Sequence, residues 1–168
     1  MEILDCTLRD GGYYTKWNFS KKLFENYLKT VSKLNITFIE LGYLSDAKDE
    51  NGLFYHLNKE ILKKAKNLLR KNQKIFAMIN FKEIKSANQL DKLLKDKKGI
   101  LDGVRFAVPP SKINKLNIII NKISKKYKNI SFNVNLMYLS KWINNEKILD
   151  KLLKNISKNI NIISFVDS

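Results

Sequence analysis

Apolar and polar positions alternate in blocks along the whole chain, and the apolar blocks are rich in β-branched residues. Six of them predict strands, at Glu2–Leu8, Ile36–Gly42, Lys74–Asn80, Gly103–Val108, Ile130–Met137 and Ile160–Val166. Their near-continuous hydrophobicity is typical of parallel strands that are covered on both faces.

The segments between these runs have the period of amphipathic helices. Apolar residues recur three and four positions apart, in stripes at Leu23–Leu34, Ile61–Leu69, Leu90–Leu94, Ile113–Ile123 and Ile148–Ile156. Ser20 and Ser86 are candidate N-caps, and Pro109-Pro110-Ser111 is a strong helix-start signal. The chain therefore reads as strand and helix in repeated alternation, and it ends on a sixth strand.

Strict alternation of this kind implies right-handed crossovers and a parallel sheet, which leaves two architectures open. An open doubly wound sheet often carries a glycine-rich phosphate turn after its first strand, and no GxGxxG is present. Instead, polar residues follow the strands, at Arg9 and Asp10, Glu40, Asn80, Arg105, Asn135, and Asp167 with Ser168. Polar groups that converge on one rim are typical of barrel active sites, so we predict an α/β fold of the TIM (βα)8 type.

The length of the chain is short for a closed barrel of this type. Its 168 residues hold six strands, whereas a complete TIM barrel takes roughly 250 residues. We therefore expect one partial TIM-barrel catalytic domain, residues 1–168, with about six of the eight units and a truncated C-terminus. Open first and last strands also lead us to expect a homo-oligomer or a completing chain.

Composition narrows the classes of function. The chain has 32 Lys and Arg against 16 Asp and Glu, but only three arginines. The lysines lie on the polar sides of the helical segments without interleaved aromatic residues, so we expect no nucleic-acid partner. No apolar run approaches the ~18 residues of a membrane span. A single Cys excludes an internal disulfide, and one Cys with one His cannot form a His/Cys zinc site. These features predict a soluble, cytoplasmic protein.

The stretch LDCTLRDGG, residues 4–12, carries the most chemistry. Arg9 and Asp10 adjoin at the end of a predicted buried strand, where charges are costly unless they are paired or bind a ligand. Gly11 and Gly12 would allow a sharp exit from the strand. Two interpretations stay open at this point: a site for a divalent cation and an oxyanion, or a structural ion pair inside the barrel.

This stretch resembles the signature D-x-T-L-R-D-G of the HMG-CoA lyase-like family, the pyruvate carboxyltransferase or DRE-TIM metallolyase group of metal-dependent TIM barrels. FIELGY, GVRFAV and SFVDS, at the second, fourth and sixth strands, are similar to further segments of that family, in the same order. The likeness is greatest to 4-hydroxy-2-oxovalerate aldolase-type catalytic domains. It implies an aldolase or carbon–carbon lyase that acts on a 2-oxo acid through a metal-stabilised enolate.

The resemblance also assigns residues. It implies that Asp10 binds a divalent metal (manganese, magnesium or zinc), that Arg9 binds the keto or enolate oxygen, and that Ser168 contacts substrate. The residues themselves leave two roles open for Arg105, which would either bind a substrate carboxylate or pair with Glu40. Asn135 would either contact substrate or cap the end of its strand.

The chain departs from the family pattern in two ways. The family's other two metal ligands form a His-x-His pair on a seventh strand, and the single His here, His56, reads instead as an isolated loop residue. Tyr13 stands where the aldolases carry a basic His, and a free phenol, with a pKa near 10, is a weaker base at neutral pH. A Claisen-type condensing transferase that joins acyl-CoA to a 2-oxo acid, and an inactive remnant, therefore remain alternatives.

Overall fold

Six parallel strands form one sheet that curls into a half-barrel. The computed structural model describes residues 2–167, apart from the side chains of residues 146, 148 and 153. Its strands are β1 (Leu4–Asp5), β2 (Phe38–Tyr43), β3 (Lys74–Asn80), β4 (Gly103–Val108), β5 (Ser131–Leu136) and β6 (Ile162–Phe165). They are paired in chain order from β1 to β6. The predicted fold, an α/β incomplete barrel of the TIM type, is confirmed.

α-Helices connect these strands, two of them between β1 and β2 and one in each later connection. They are α1 (Thr7–Thr15), α2 (Lys21–Val31), α3 (Lys59–Leu68), α4 (Ala87–Leu94), α5 (Ile113–Ile123) and α6 (Glu146–Asn155). The predicted caps are confirmed, since Ser20 accepts a hydrogen bond from the Leu23 amide and Ser86 accepts one from the Gln89 amide. Among the helices of residues 2–167, none combines the length and hydrophobicity that crossing a membrane requires.

The two faces of the sheet differ in chemistry because successive strand residues point to opposite sides. The outer face of β2–β5 packs against the helices and is apolar, and its side chains are at most 2% exposed: Ile39, Leu41, Ile75, Ala77, Ile79, Val104, Phe106, Val108, Phe132, Val134 and Leu136. The inner face, which we call the lumen, carries Glu40, Met78, Arg105, Asn133 and Asn135. Met78 lies opposite Arg105, and Arg105 lies opposite Asn133.

The first strand is shorter than predicted. Residues 2–8 read as a strand, but β1 ends at Asp5 and α1 begins at Thr7. Cys6 is the N-cap of this helix, and the Asp5 carboxylate before it accepts a hydrogen bond from the Thr7 amide at 3.0 Å. The next turn is closed by a bond from the Asp10 amide to the Cys6 carbonyl. The chemical motif is therefore largely helical, and Arg9 and Asp10 extend from a helix rather than from a strand end.

Candidate active site

Helix α1 places three of the predicted site residues on one face. Arg9 and Tyr13 are four residues apart, and Asp10 and Tyr13 are three apart, so the three side chains are neighbours on the helix surface. This face meets the lumen, where Arg9 Nε donates a hydrogen bond to Glu40 Oε1 at 2.8 Å. Arg9 Nη1 is also paired with Asp10 Oδ1. The guanidinium and the carboxylate of the motif therefore point to one shared mouth.

Glu40 joins the charged residues of the lumen. Its side chain is 0% exposed, and its second oxygen accepts a bond from Arg105 Nη1 at 3.0 Å. Arg105 Nη2 in turn donates to Asn135 Oδ1 at 2.9 Å. We call the series Asp10, Arg9, Glu40, Arg105 and Asn135 the lumen ion chain. It runs from α1 across the sheet to β5.

The electrostatics of this chain keep Arg9 charged. Burial alone would lower the pKa of Arg9, but the charge and hydrogen bond of Glu40 outweigh that effect, with a further contribution from Asp10. The pKa of Arg9 is therefore raised above its usual value. A buried carboxylate between two guanidinium groups also fixes the positions of both, because removing Glu40 would leave two partly buried positive charges without their shared partner.

The structure places the remaining predicted residues as follows. Arg105 pairs with Glu40, one of the two roles left open for it, and Asn135 is bonded to Arg105. Ser168 lies outside the described residues. His56 lies in the loop after β2, as expected, but it is not isolated there, since its Nε2 lies 2.9 Å from Asp49 Oδ1. The substrate-binding roles of Arg9, Arg105 and Asn135 and the catalytic roles of Arg9 and Tyr13 stay predictions.

Sequence reasoning did not select Glu40 as a site residue, although it noted the residue at the end of a strand. The available signal was a single Glu inside the otherwise apolar run FIELGY. A carboxylate at such a position needs a buried partner. What the sequence could not show was that two arginines, 31 and 65 residues away, share it.

The double glycine does not form the sharp exit that we expected. Both glycines lie within α1, and only Gly12 has a steric role there. A Cβ atom on Gly12 would lie 2.0 Å from Cδ1 of Trp17. Trp17 has a positive φ of 54°, unusual for a bulky residue, and its Nε1 donates to the Arg9 carbonyl at 2.9 Å. Gly12 thus lets the indole pack against the helix that carries Arg9.

The described residues do not fit a complete divalent-metal site. Asp10 is 54% exposed on its side chain, but its Oδ1 pairs with Arg9 and its Oδ2 accepts a bond from Cys6 Sγ at 3.1 Å. Burial, together with that bond, raises the pKa of Cys6 to about 11, so at neutral pH it is a thiol and not a thiolate ligand. Within residues 2–167, no three His, Cys, Asp or Glu side chains are grouped to hold a metal ion.

A large surface groove beside α1 lies apart from the predicted site residues. A groove of about 650 Å³ lies between α1 and α2, where Leu8, Gly11 and Leu23 contribute to its largely apolar wall. Arg9, Asp10 and Tyr13 do not line it. The two sides of α1 therefore differ: one borders an apolar groove and the other carries the charged and phenolic groups.

Comparison with known proteins relates this fold to an aldolase domain. The chain is similar to the crystal structure of the N-terminal domain of a "putative aldolase" from Bacteroides vulgatus, with a TM-score of 0.88 and 34% sequence identity. The match covers 98% of this chain and 54% of that one, so this chain spans about half the length of the matched protein. No protein-family model matches the chain, and no curated protein matches it. The fold is aldolase-like.

Proposed function

We propose that the chain belongs to an aldolase-type carbon–carbon lyase that acts on a 2-oxo acid and is related to the HMG-CoA lyase-like family. The similarity to an aldolase domain and the motif of residues 4–12 support this proposal. The observation that carries it is that the guanidinium of Arg9 is held in place and still has a free donor. Glu40 fixes its guanidinium at the mouth of the lumen, yet within residues 2–167 its Nη2 forms no hydrogen bond.

Arg9 is suited to stabilise an oxyanion. Cleavage next to a 2-oxo group develops negative charge on the keto oxygen, and a donor that is already in place stabilises this charge without reorganising. Arg9 stays charged, and its position is set by two carboxylates. Arg105, whose Nε forms no bond among the described residues, is the corresponding donor for the substrate's carboxylate on the other side of the lumen.

Tyr13 is the proposed proton-transfer residue. As a phenolate it takes the proton of the substrate's 4-hydroxyl group while the carbon–carbon bond breaks and its electron pair forms the enolate. An aldehyde leaves, and the enolate carbon then takes the proton back from Tyr13, which yields the 2-oxo acid and restores the phenolate. Because a free phenol ionises near pH 10, we expect activity to rise from neutral toward alkaline pH.

These steps involve Arg9 and Tyr13 alone. The family resemblance implies a divalent cation, but Asp10 is one carboxylate, and hard cations take several oxygen ligands. We therefore assign no step to a metal ion. Parallel assays with EDTA and with added manganese, magnesium or zinc would measure any dependence separately.

The test combines ligand binding with catalysis. Oxalate, a planar dianion that resembles the enolate of a 2-oxo acid, is titrated by calorimetry into the full chain and into Arg9→Lys, and a panel of 4-hydroxy-2-oxo acids is assayed for cleavage. We expect Arg9→Lys to lose about 100-fold in kcat/KM and most of the oxalate affinity, because lysine lacks the planar fork. Arg70→Lys is the matched control, since Arg70 binds a backbone carbonyl away from the lumen. Absence of both oxalate binding and cleavage in the unmodified chain would refute the proposal.

A further inference from the structure

Tyr43 reaches the lumen through an irregularity in β2. Glu40 lies opposite Phe76 of β3, but the register then shifts, so that Tyr43 instead of residue 42 lies opposite Met78. The shift is held by the following loop: the Tyr43 amide donates to the Phe54 carbonyl at 2.8 Å, and the Leu57 amide donates to the Tyr43 carbonyl at 3.0 Å. A Cβ atom on Gly42 would lie 1.9 Å from the Phe54 carbonyl oxygen, so only glycine allows this approach.

The ring of Tyr43 is held by two other aromatic rings. Tyr55 stacks on it with a centroid distance of 4.8 Å, and the Trp17 indole meets it edge-on at 5.5 Å. Tyr55 is anchored in turn, because its hydroxyl donates to Glu83 Oε1 at 2.7 Å. Tyr43 is buried, so its hydroxyl has a defined position.

That hydroxyl lies 2.9 Å from the hydroxyl of Tyr13, whose side chain is otherwise largely exposed. Trp17 also contacts the Tyr13 ring, with the centroids 4.8 Å apart. We propose that Tyr43 is a positioning residue, whose phenol donates a hydrogen bond to the Tyr13 oxygen and holds that oxygen at the mouth of the lumen, on the helix face that carries Arg9. This inference rests on the proposed role of Tyr13 in proton transfer.

The direction of the bond follows from the surroundings of Tyr43. Burial, followed by the hydrogen bond with Tyr13, raises the pKa of Tyr43. The charged and titratable groups that face it are Tyr13 and Arg9 on α1 and Glu40 on its own strand, with Tyr55 stacked on its ring. Tyr43 therefore holds its proton more tightly than a free phenol does, and it is the donor whenever Tyr13 is ionised. An ionised Tyr13 would accept a charge-assisted hydrogen bond, which is stronger than one between neutral groups.

The experiment compares the unmodified chain with Tyr43→Phe and Tyr13→Phe. Ultraviolet difference absorbance across an alkaline titration, with Tyr13→Phe as the reference, gives the pH at which Tyr13 is half ionised. We expect Tyr43→Phe to move this midpoint upward by about one pH unit, since a hydrogen bond to a charged group is lost. In the cleavage assay, kcat should fall about tenfold with little change in KM, and the rising limb of the pH profile should move in the same direction.

Tyr127→Phe is the matched control, because Tyr127 is also buried and its hydroxyl also has a partner, the Asp91 carboxylate, far from α1. It should lose stability without moving the Tyr13 midpoint. An unchanged midpoint in Tyr43→Phe would overturn the inference even if the chain proves to be an aldolase. If the chain cleaves no 2-oxo acid, the proposed function fails, and the titration still decides whether Tyr43 supports the ionisation of Tyr13.

Discussion

The outer and inner faces of the same strands are stabilised by different interactions. The outer face is apolar and sealed by helices, whereas the lumen holds two arginines, two asparagines and a fully buried glutamate. The outer face is stabilised by the burial of apolar surface, and this stabilisation grows with the area that is buried. The lumen is stabilised by ion pairs and hydrogen bonds, which are lost when one partner is removed. Substitutions on the two faces should therefore have different consequences, and the largest loss of stability belongs to the outer face.

Phe106→Ala should destabilise the fold by about 4 kcal/mol, because it opens a cavity in the outer-face core. Phe106 is fully buried between the rings of Phe81 and Phe132. Chemical denaturation measures the change in unfolding free energy. Ile118→Ala on α5 is the control, since Ile118 is 58% exposed and surface changes usually stay within about 0.5 kcal/mol. Equal losses for the two variants would contradict the assignment of the core.

Glu40→Gln tests the lumen, and it should destabilise by about 3 kcal/mol. The variant keeps the shape of the side chain but leaves two partly buried guanidinium groups without their shared counter-charge. Oxalate binding should also weaken, because the guanidinium of Arg9 loses the carboxylate that holds it in place. Glu25→Gln makes the same chemical change in a pair with Lys64 on the helical surface, and it should cost much less stability because solvent screens an exposed pair. If both variants lose the same stability, the lumen ion chain is no more than a surface-type network.

The two adjacent glycines of α1 give a finer test, because opposite signs are expected. Gly12→Ala should cost about 2 kcal/mol, since the new methyl group would overlap the Trp17 indole. Gly11→Ala should stabilise by about 0.5–1 kcal/mol, because its nearest neighbour, Phe19 Cζ, lies 3.9 Å away and alanine is the better helix former. Thermal unfolding of both variants measures the difference. Stabilisation by both would show that the indole does not pack on Gly12.

The outer face was largely predictable from the sequence because its signal is local. The bounds of β3 and β4 agree with the apolar runs Lys74–Asn80 and Gly103–Val108, and Ser20 and Ser86 cap helices as expected. Each of these features depends on residues within a few positions of one another.

The lumen and its mouth were less predictable because the apolar pattern does not show their polar contacts, of which those of Glu40 reach residues 31 and 65 positions away. The strand prediction for residues 2–8 failed at Cys6, where the Asp5 carboxylate and the indole of Trp17 favour a helix. The shift of register before Tyr43 depends on the Phe54 carbonyl, which a loop brings back to β2. The local pattern of FIELGY does not indicate the contact between Tyr43 and Phe54. The residues of the mouth could be named from the motif, but their partners required the structure.

The smallest expected effect is in the loop after β2, where the hydrogen-bonded pair of His56 and Asp49 lies near the surface, unlike the buried pairs of Glu40. Burial acts to raise the pKa of Asp49, but hydrogen bonds from Asn51 and His56 outweigh it and lower that pKa. A lowered pKa stabilises the fold above the unfolded value near 4, and this contribution is lost as the pH falls through the folded value. Asp49→Asn, which keeps the acceptor oxygen, should therefore cost less than about 1 kcal/mol at pH 7, and its difference from the unmodified chain should disappear near pH 2. Urea unfolding at both pH values measures this. A difference that persists in acid would assign the effect of Asp49 to packing and not to its charge.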